Sequence, residues 1–168
     1  MELDMRRYLH GQKGNFDEMR ILVEGGASYT SDIDFPDQLF AYFLRSNQAH
    51  AQINQIDIAQ ALQILGVKAI YTGQDLLKAG IGPIPPVVTF NQRDGSPMST
   101  ASMPALAIDR VRYVGEPVAI VIAVSPHIAA KAADLIEIDY LSITAVVSAQ
   151  SALAPNAPLL HDHLPSNM

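Results

Sequence analysis

The 168-residue chain contains no cysteine. This absence excludes a disulfide framework, an iron–sulfur cluster bound by residues of this chain, and a cysteine nucleophile. The chain also lacks an apolar run of the roughly 20 residues that a membrane-spanning helix requires. Residues 1–15 are polar and charged and lack the apolar core of a secretory signal. These features predict a cytoplasmic protein with no membrane partner.

Basic residues are few, with 11 Lys and Arg against 17 Asp and Glu, for a formal net charge of -6. A nucleic-acid-binding protein normally carries clustered Lys and Arg, and the sequence contains no such run. A nucleic-acid partner is therefore not expected. The hydrophobic fraction of 49% is ordinary for a globular protein. A chain of this length can bury one core without a metal or a disulfide.

Apolar periodicity predicts two strands early in the chain. Residues 39–44 form a continuous apolar run, and residues 49–54 alternate apolar and polar side chains. Because residues 45–47 have the composition of a turn, we expect the two strands to form an antiparallel hairpin.

Two helices and a strand are predicted next. Asp57 is a suitable N-cap for a helix over residues 58–65, and Gly66 is suited to end it. Residues 67–71 read as a short strand, and residues 74–79 as a brief second helix.

The second half of the chain predicts a strand, a helix and a strand. Residues 117–124 are unbroken apolar sequence, which is typical of a central strand. Ser125 followed by Pro126 indicates a helix start, and residues 136–140 alternate as a half-buried strand. This order favours a crossover with parallel pairing.

The predicted fold is an α/β domain in which two or three helices cover a mixed sheet. We expect a loose leader over residues 1–19, the folded domain over 20–153, and a linker over 154–168. Residues 80–104 contain five prolines and three glycines, so they predict a long loop, which is either a solvated excursion or a functional segment.

Common catalytic and cofactor motifs are absent from the sequence. There is no phosphate-binding loop that ends in Gly-Lys-Ser/Thr, no Gly-x-Gly-x-x-Gly motif and no Gly-x-Ser-x-Gly elbow. We therefore predict no catalytic, cofactor-binding or metal-binding residue in this chain. His161 and His163 could share a metal on a strand, but a solvated polar linker is the favoured interpretation because a lone pair of histidines is a weak signal.

Glu116 is the carboxylate that stands out, because it lies between Gly115 and Pro117 immediately before the predicted central strand. It could act as a base, but no second carboxylate or histidine is near it in sequence. Anchoring of a turn is the favoured interpretation. Glu137 and Asp139 are spaced like paired carboxylates, yet they are explained more simply as the solvent side of a strand.

Several blocks of the sequence resemble one known family, and they occur in the family's order. These are residues 29–33 (YTSDI), 45–53 (RSNQAHAQI), 66–67 (GV), 72–76 (TGQDL), 112–119 (RYVGEPVA), 132–140 (AADLIEIDY), 145–147 (AVV) and 154–162 (APNAPLLHD). The pattern is similar to the amino-terminal α/β hammerhead domain of the molybdenum hydroxylase large subunit, the family of xanthine dehydrogenase, aldehyde oxidase and carbon monoxide dehydrogenase.

The resemblance implies a component of an oxidoreductase that is not catalytic alone. In the family, molybdopterin and the catalytic glutamate belong to other domains, and iron–sulfur and flavin centres belong to other domains or subunits. The expected partners are therefore the molybdopterin-binding part of the same enzyme and its iron–sulfur and flavin subunits. The residues expected to make the interdomain contact are Arg112, Tyr113, Gly115, Glu116 and Pro117, together with the loop over 80–104.

A second hypothesis remains open at this point. The chain could be a stand-alone interaction or binding module that has kept the hammerhead fold without hydroxylase activity. The residues Tyr8 to Gln12 also resemble the start of the family's domain, which then recurs near Gly25, so an altered start is a further departure from the pattern. The substrate and the oligomeric state do not follow from the sequence.

Overall fold

The computed structural model describes residues 16–26, 28–101 and 103–167, and the predicted leader lies mostly outside this range. The chain divides into two compact units, residues 1–38 and residues 39–168. The described part of the first unit contains helix α1 (Phe16–Val23) and a short 3₁₀ helix (Thr30–Asp32). The Asp32 carboxylate accepts a hydrogen bond from the Tyr29 backbone N–H at 2.9 Å and so caps this 3₁₀ helix.

The second unit contains six strands and four helices among the described residues. In chain order these are β1 (Phe40–Arg45), β2 (Ala51–Asp57), α2 (Ala59–Leu62), β3 (Val67–Thr72), α3 (Gly73–Lys78), β4 (Arg110–Val111), β5 (Pro117–Ala123), α4 (Pro126–Ala133), β6 (Glu137–Ser142) and α5 (Ala149–Ala152). The predicted α/β class is confirmed. No helix in the described part of the chain combines the length and apolarity needed to cross a bilayer.

The strands form two separate antiparallel sheets. The first has the order β1-β5-β3, and the second has the order β4-β2-β6. The predicted hairpin between the first two strands is therefore wrong, because β1 and β2 belong to different sheets. The predicted parallel pairing across α4 is also wrong, because α4 carries the chain from β5 in one sheet to β6 in the other.

Strand β5 and helix α4 form the larger core. Ala119, Val121 and Ala123 of β5 are fully buried against the alanine-rich face of α4. Small side chains on both elements allow the helix to lie close to the sheet. Ser125 caps α4 through a hydrogen bond from the Ile128 N–H to its hydroxyl at 3.2 Å, and Pro126 occupies the first turn, as the sequence predicts.

The helix predicted over residues 58–65 is shorter than expected. Asp57 ends β2, and its carboxylate accepts a hydrogen bond from the Ala59 N–H at 2.8 Å, but regular helix covers only Ala59–Leu62. The prediction that Gly66 ends this helix is wrong, because Gln63 is the C-cap; Gly66, with a φ of +97°, lies instead in the turn that leads into β3. A Cβ here would also lie 2.9 Å from side-chain atoms of Val124 and Ile128, which would have to shift.

The predicted long loop over residues 80–104 has no helix or strand in its described part. Its one β-bridge joins Asn91 to Pro97, around a turn at Asp94 and Gly95. The loop returns to the core at Leu106 and Ala107, which are buried. Gly73 at the start of α3 lies directly against this return, since a Cβ on it would be 2.3 Å from the Ala107 carbonyl oxygen.

We expect Gly73→Ala to lower the free energy of unfolding by about 1–3 kcal/mol, because the added methyl group must displace backbone rather than a flexible side chain. Urea denaturation followed by circular dichroism measures this change. Gly82→Ala is the matched control, since a Cβ at Gly82 meets nothing within 4 Å. Equal stability of the two variants would contradict the assignment of a close approach at Gly73.

Candidate functional site

The predicted contact block forms a tight turn between β4 and β5. The Glu116 side chain is buried, and its carboxylate accepts a hydrogen bond from the Arg112 N–H at 2.5 Å. The Glu116 N–H donates to the Tyr113 carbonyl at 3.2 Å, and Gly115 has a φ of +92°, a conformation that favours glycine. Glu116 thus closes the turn through backbone contacts, in agreement with the structural interpretation that the sequence favours.

The turn is bound to the end of β1, about 70 residues away in sequence. The Ser46 N–H donates to the Glu116 carbonyl at 2.8 Å, and the Gly115 N–H donates to the Ser46 carbonyl at 2.8 Å. The Arg45 guanidinium adds a hydrogen bond to the Gly115 carbonyl at 2.9 Å. The structure therefore joins two of the blocks that carry the family resemblance, residues 45–53 and 112–119.

The five predicted contact residues lie together but differ in what they present to solvent. Tyr113 is 48% exposed, and its neighbour Val114 is 64% exposed, so the tip of the turn offers apolar surface. Gly115 and Glu116 shape and anchor the turn, and Pro117 begins β5. The Arg112 side chain contacts the segment of residues 158–167, where its Nε donates a hydrogen bond to the Leu160 carbonyl at 3.2 Å. The contact itself remains a prediction.

Burial raises the pKa of the Glu116 carboxyl above its ordinary value of 4.5. The backbone N–H and the charge of Arg112 oppose this effect, while the nearby Asp109 adds to it. Burial therefore destabilises the charged form of Glu116 by more than the hydrogen bonds and charge of the turn stabilise it. Among the described residues, Glu116 makes no hydrogen bond to a nucleophile or to a histidine.

Sequence reasoning missed a set of buried polar groups beside this turn. Ser46 and His50 are buried, and the His50 Nδ1 lies 3.1 Å from the Thr144 carbonyl. Within the described part of the chain, the His50 Nε2 and the Tyr140 hydroxyl are buried without a hydrogen bond of good geometry. Ser46 lies close enough to lower the pKa of Tyr140, but burial outweighs it and raises that pKa. Tyr140 could have been suspected because it stands in the apolar row of an alternating strand, whereas His50 stands in the polar row of residues 49–54 and gave no such signal.

The last segment of the chain folds back onto β4. Arg110 forms a salt bridge with Asp162 at 3.0 Å. The Asn167 side chain accepts a hydrogen bond from the Leu160 N–H at 2.9 Å and donates one to the Pro158 carbonyl at 2.9 Å. A cavity of about 480 Å³ lies between this segment, α5 and the loop residues Ser99 and Ala101. Helix α5 and this return were not predicted, because neither carries an apolar repeat.

His161 and His163 lie near each other, with ring centres 5.8 Å apart. Burial lowers the pKa of His161, and the charges of Arg112 and His163 lower it further, whereas Asp162 raises it. In residues 16–26, 28–101 and 103–167, no group of three or more His, Asp or Glu side chains could hold a metal ion.

Comparisons with known proteins identify the same family that the sequence blocks, including residues 45–53 and 112–119, resemble. The family described as aldehyde oxidase and xanthine dehydrogenase, a/b hammerhead domain, matches residues 24–144. The carbon monoxide dehydrogenase large chain of Afipia carboxidovorans is 32% identical over 146 residues, which are 87% of this chain and 17% of that protein. The xanthine dehydrogenase molybdenum-binding subunit of Escherichia coli O157:H7 is 33% identical over 143 residues, 83% of this chain and 18% of that protein.

A solved structure shows the same relationship in three dimensions. Quinoline 2-oxidoreductase from Pseudomonas putida 86 superposes with a TM-score of 0.71 at 35% identity, over 81% of this chain and 16% of that chain. The chain thus spans about one sixth of the length of the relatives that it matches.

We expect the Glu116 carboxyl to give the folded protein a specific pH dependence. Because its pKa is raised on folding, the folded state binds this proton more tightly than the unfolded chain does. Its stabilising contribution is complete below the ordinary value of 4.5 and falls as pH rises through the folded pKa. Glu116→Gln removes this dependence while it keeps an oxygen that can accept the Arg112 N–H.

The measurement is urea denaturation of both proteins at a series of pH values from 4 to 8. The free energy of unfolding of the natural chain should fall relative to that of Glu116→Gln as pH rises. Glu137→Gln on exposed surface is the control. A difference that rises with pH would mean that the folded-state pKa is lowered, and the assignment would be wrong.

Proposed function

Since the chain belongs to the aldehyde oxidase and xanthine dehydrogenase α/β hammerhead family, we propose that it serves as a structural and assembly domain of a molybdenum-dependent hydroxylase. In this proposal it is not catalytic alone, and its task is to pack against the part of the enzyme that binds molybdopterin. The proposal is supported by the names of two relatives, one a large chain and the other a molybdenum-binding subunit.

The observation that carries the proposal is an uncharged open face on the first sheet. Helix α4 covers one face of β5, and the opposite face holds Ile120 and Ile122. Ile120 lies between Phe43 on β1 and Tyr71 on β3, while Ile122 lies between Ala41 and Ala69. These two cross-strand rows, Phe43–Ile120–Tyr71 and Ala41–Ile122–Ala69, contain no charged side chain.

Exposure of these rows is unusual for a soluble monomer. Phe43 is 44% exposed and Tyr71 is 46% exposed, although both lie within regular strands. A contiguous apolar surface of this kind marks an interaction site rather than a solvated surface. The exposed Tyr113 and Val114 at the tip of the turn add a second apolar contact point.

The proposal places no molybdopterin site in this chain. Several polar side chains near the turn are already engaged within the domain: Glu116 accepts from the Arg112 N–H, Asn167 donates to the Pro158 carbonyl, and Ser46 accepts from the Gln48 N–H. The proposal therefore assigns the cofactor, and the iron–sulfur and flavin centres expected from the resemblance, to partner domains or subunits.

We expect the purified chain alone to contain neither molybdenum nor pterin in stoichiometric amount and to show no hydroxylase turnover with aldehyde or purine substrates. Metal analysis by mass spectrometry and pterin fluorescence after oxidation measure the first two. Equimolar molybdenum or pterin in the isolated chain would contradict the assignment of the cofactor to partner domains or subunits.

We further expect the tagged chain, purified from its own host, to bring down a polypeptide that carries molybdenum. Ile120→Lys should abolish this association because it places a charge at the centre of the open face, whereas Leu153→Lys, at an exposed position after α5, should leave it intact. Recovery of equal molybdenum with both variants would show that the open face is not the docking surface.

A further inference from the structure

Residues 158–167 form a strap that lies against β4. The Arg110 guanidinium, on β4, forms a salt bridge with Asp162 at 3.0 Å, and the Arg112 Nε donates a hydrogen bond to the Leu160 carbonyl at 3.2 Å. The Asn167 side chain joins the strap to the end of α5 through a hydrogen bond to the Ala152 carbonyl at 3.4 Å. Two arginines therefore hold the strap by a carboxylate and by a neighbouring carbonyl.

The charge of the strap depends on two histidines. Its sequence, PLLHDHLPSN, contains one carboxylate, Asp162, between His161 and His163, and it contains no Lys or Arg. With both rings neutral, Asp162 is the one charge of the strap, and it attracts the arginines. One protonated ring cancels that charge, and two give the strap a positive charge beside two guanidinium groups. Histidine is the side chain whose ordinary pKa, about 6.5, permits such a change near neutral pH.

His161 is the better placed of the two rings to act on the strap. It follows Leu160, whose carbonyl accepts the Arg112 hydrogen bond, and its side chain is half-buried, whereas His163 is exposed. The positive or titratable groups that act on it are Arg112, on the turn after β4, and His163, whose ring centre is 5.8 Å away. Asp162 is the negative group that opposes them.

The other elements around His161 bring no charge that could balance a proton on its ring. With His161 they line the cavity of about 480 Å³, and the described residues that they contribute are all uncharged: Ser99, Ala101, Val146, Val147, Ser148, Ala149 and Ala152. Burial and the charges of Arg112 and His163 outweigh Asp162, so the pKa of His161 lies below its ordinary value of 6.5. The docked strap therefore favours the neutral ring.

We propose that protonation of His161 releases the strap from β4, so that the domain carries a pH-sensitive switch. A proton on His161 places a positive charge beside Arg112, and it cancels the net negative charge by which the strap is held to Arg110. Release uncovers Arg110 and removes the wall of the cavity that Leu160 and Leu164 provide. This inference concerns contacts within the domain and does not rest on the proposed function.

Docking of the strap should weaken as pH falls. Because the docked ring binds its proton less tightly than the free ring, the stabilisation is complete above the ordinary pKa of 6.5 and is lost below it. Each pH unit below 6.5 weakens docking by up to about tenfold, until the pKa of the docked ring is reached. Glu116 also titrates in acid and contacts Arg112, so the test must separate it from His161.

Amide hydrogen exchange of the full 168-residue chain at pH 7.5 and pH 5, corrected for the intrinsic exchange rates, tests the switch. The Leu160 N–H donates to the Asn167 side chain and the Leu164 N–H donates to the His161 carbonyl, so both amides report the closed strap. We expect their protection to fall about tenfold at pH 5 relative to that of residues 117–123 in β5. Unchanged protection of both amides would overturn the proposal.

Two variants assign the response to a residue. His161→Gln keeps a polar side chain that takes no proton, so its strap should remain closed at pH 5. His127→Gln is the matched control, because His127 is exposed on α4, and this variant should lose protection as the natural chain does. Equal loss in the two variants would assign the response to Glu116 or to another group and would overturn the proposal.

The His161 ring of the natural chain gives an answer even if His161→Gln does not fold. Its Cε1–H proton resonance, followed by nuclear magnetic resonance from pH 4 to 8, should titrate below the ordinary histidine pKa of about 6.5. Titration at or above that value would overturn the proposal, because protonation would then favour the docked strap or leave it unaffected.

Discussion

Burial of strand β5 is the constraint on which the rest of the domain depends. Its side chains at 119, 121 and 123 are fully buried, and this requires a helix that can come very close to the sheet. Helix α4 meets this requirement because Ala129, Ala132 and Ala133 form its inner face. β5 is also the only strand of its sheet with a partner on each side, so the positions of β1 and β3 follow from it.

The start of β5 is fixed by a buried carboxylate rather than by apolar packing. Glu116 orders the turn from Arg112 to Gly115 through backbone contacts, and Ser46 ties that turn to the end of β1. A buried charge costs free energy, which is the reason why its pKa is raised. What the domain gains is a defined turn whose tip, at Tyr113 and Val114, points apolar side chains into solvent.

Charged and apolar side chains are unevenly distributed over the exposed surfaces of the two sheets. The second sheet and the β3 edge carry exposed charges, whereas the β1 edge and the open face around Ile120 carry aromatic and aliphatic side chains. An isolated globular domain has no physical reason to keep Phe43 and Tyr71 half exposed in regular strands. The proposed function supplies such a reason, because a surface of this composition is stabilised when a partner surface covers it.

By itself the sequence determined most of the local structure: the capped start of α4, the buried run of β5, the long loop over 80–104 and the role of Glu116 as an anchor. These features depend on neighbours within a few residues, so periodicity and cap chemistry are sufficient to predict them. Only the tertiary structure decided that β1 and β2 part into two sheets, that no parallel crossover forms, and that residues 160–167 return to β4. Strand partners are determined by contacts between residues distant in sequence and by backbone hydrogen bonds. The backbone groups are the same in every strand, so the sequence of a strand does not identify its partner. The same reason explains why the buried His50 and the open face around Ile120 became visible only when the strands were paired.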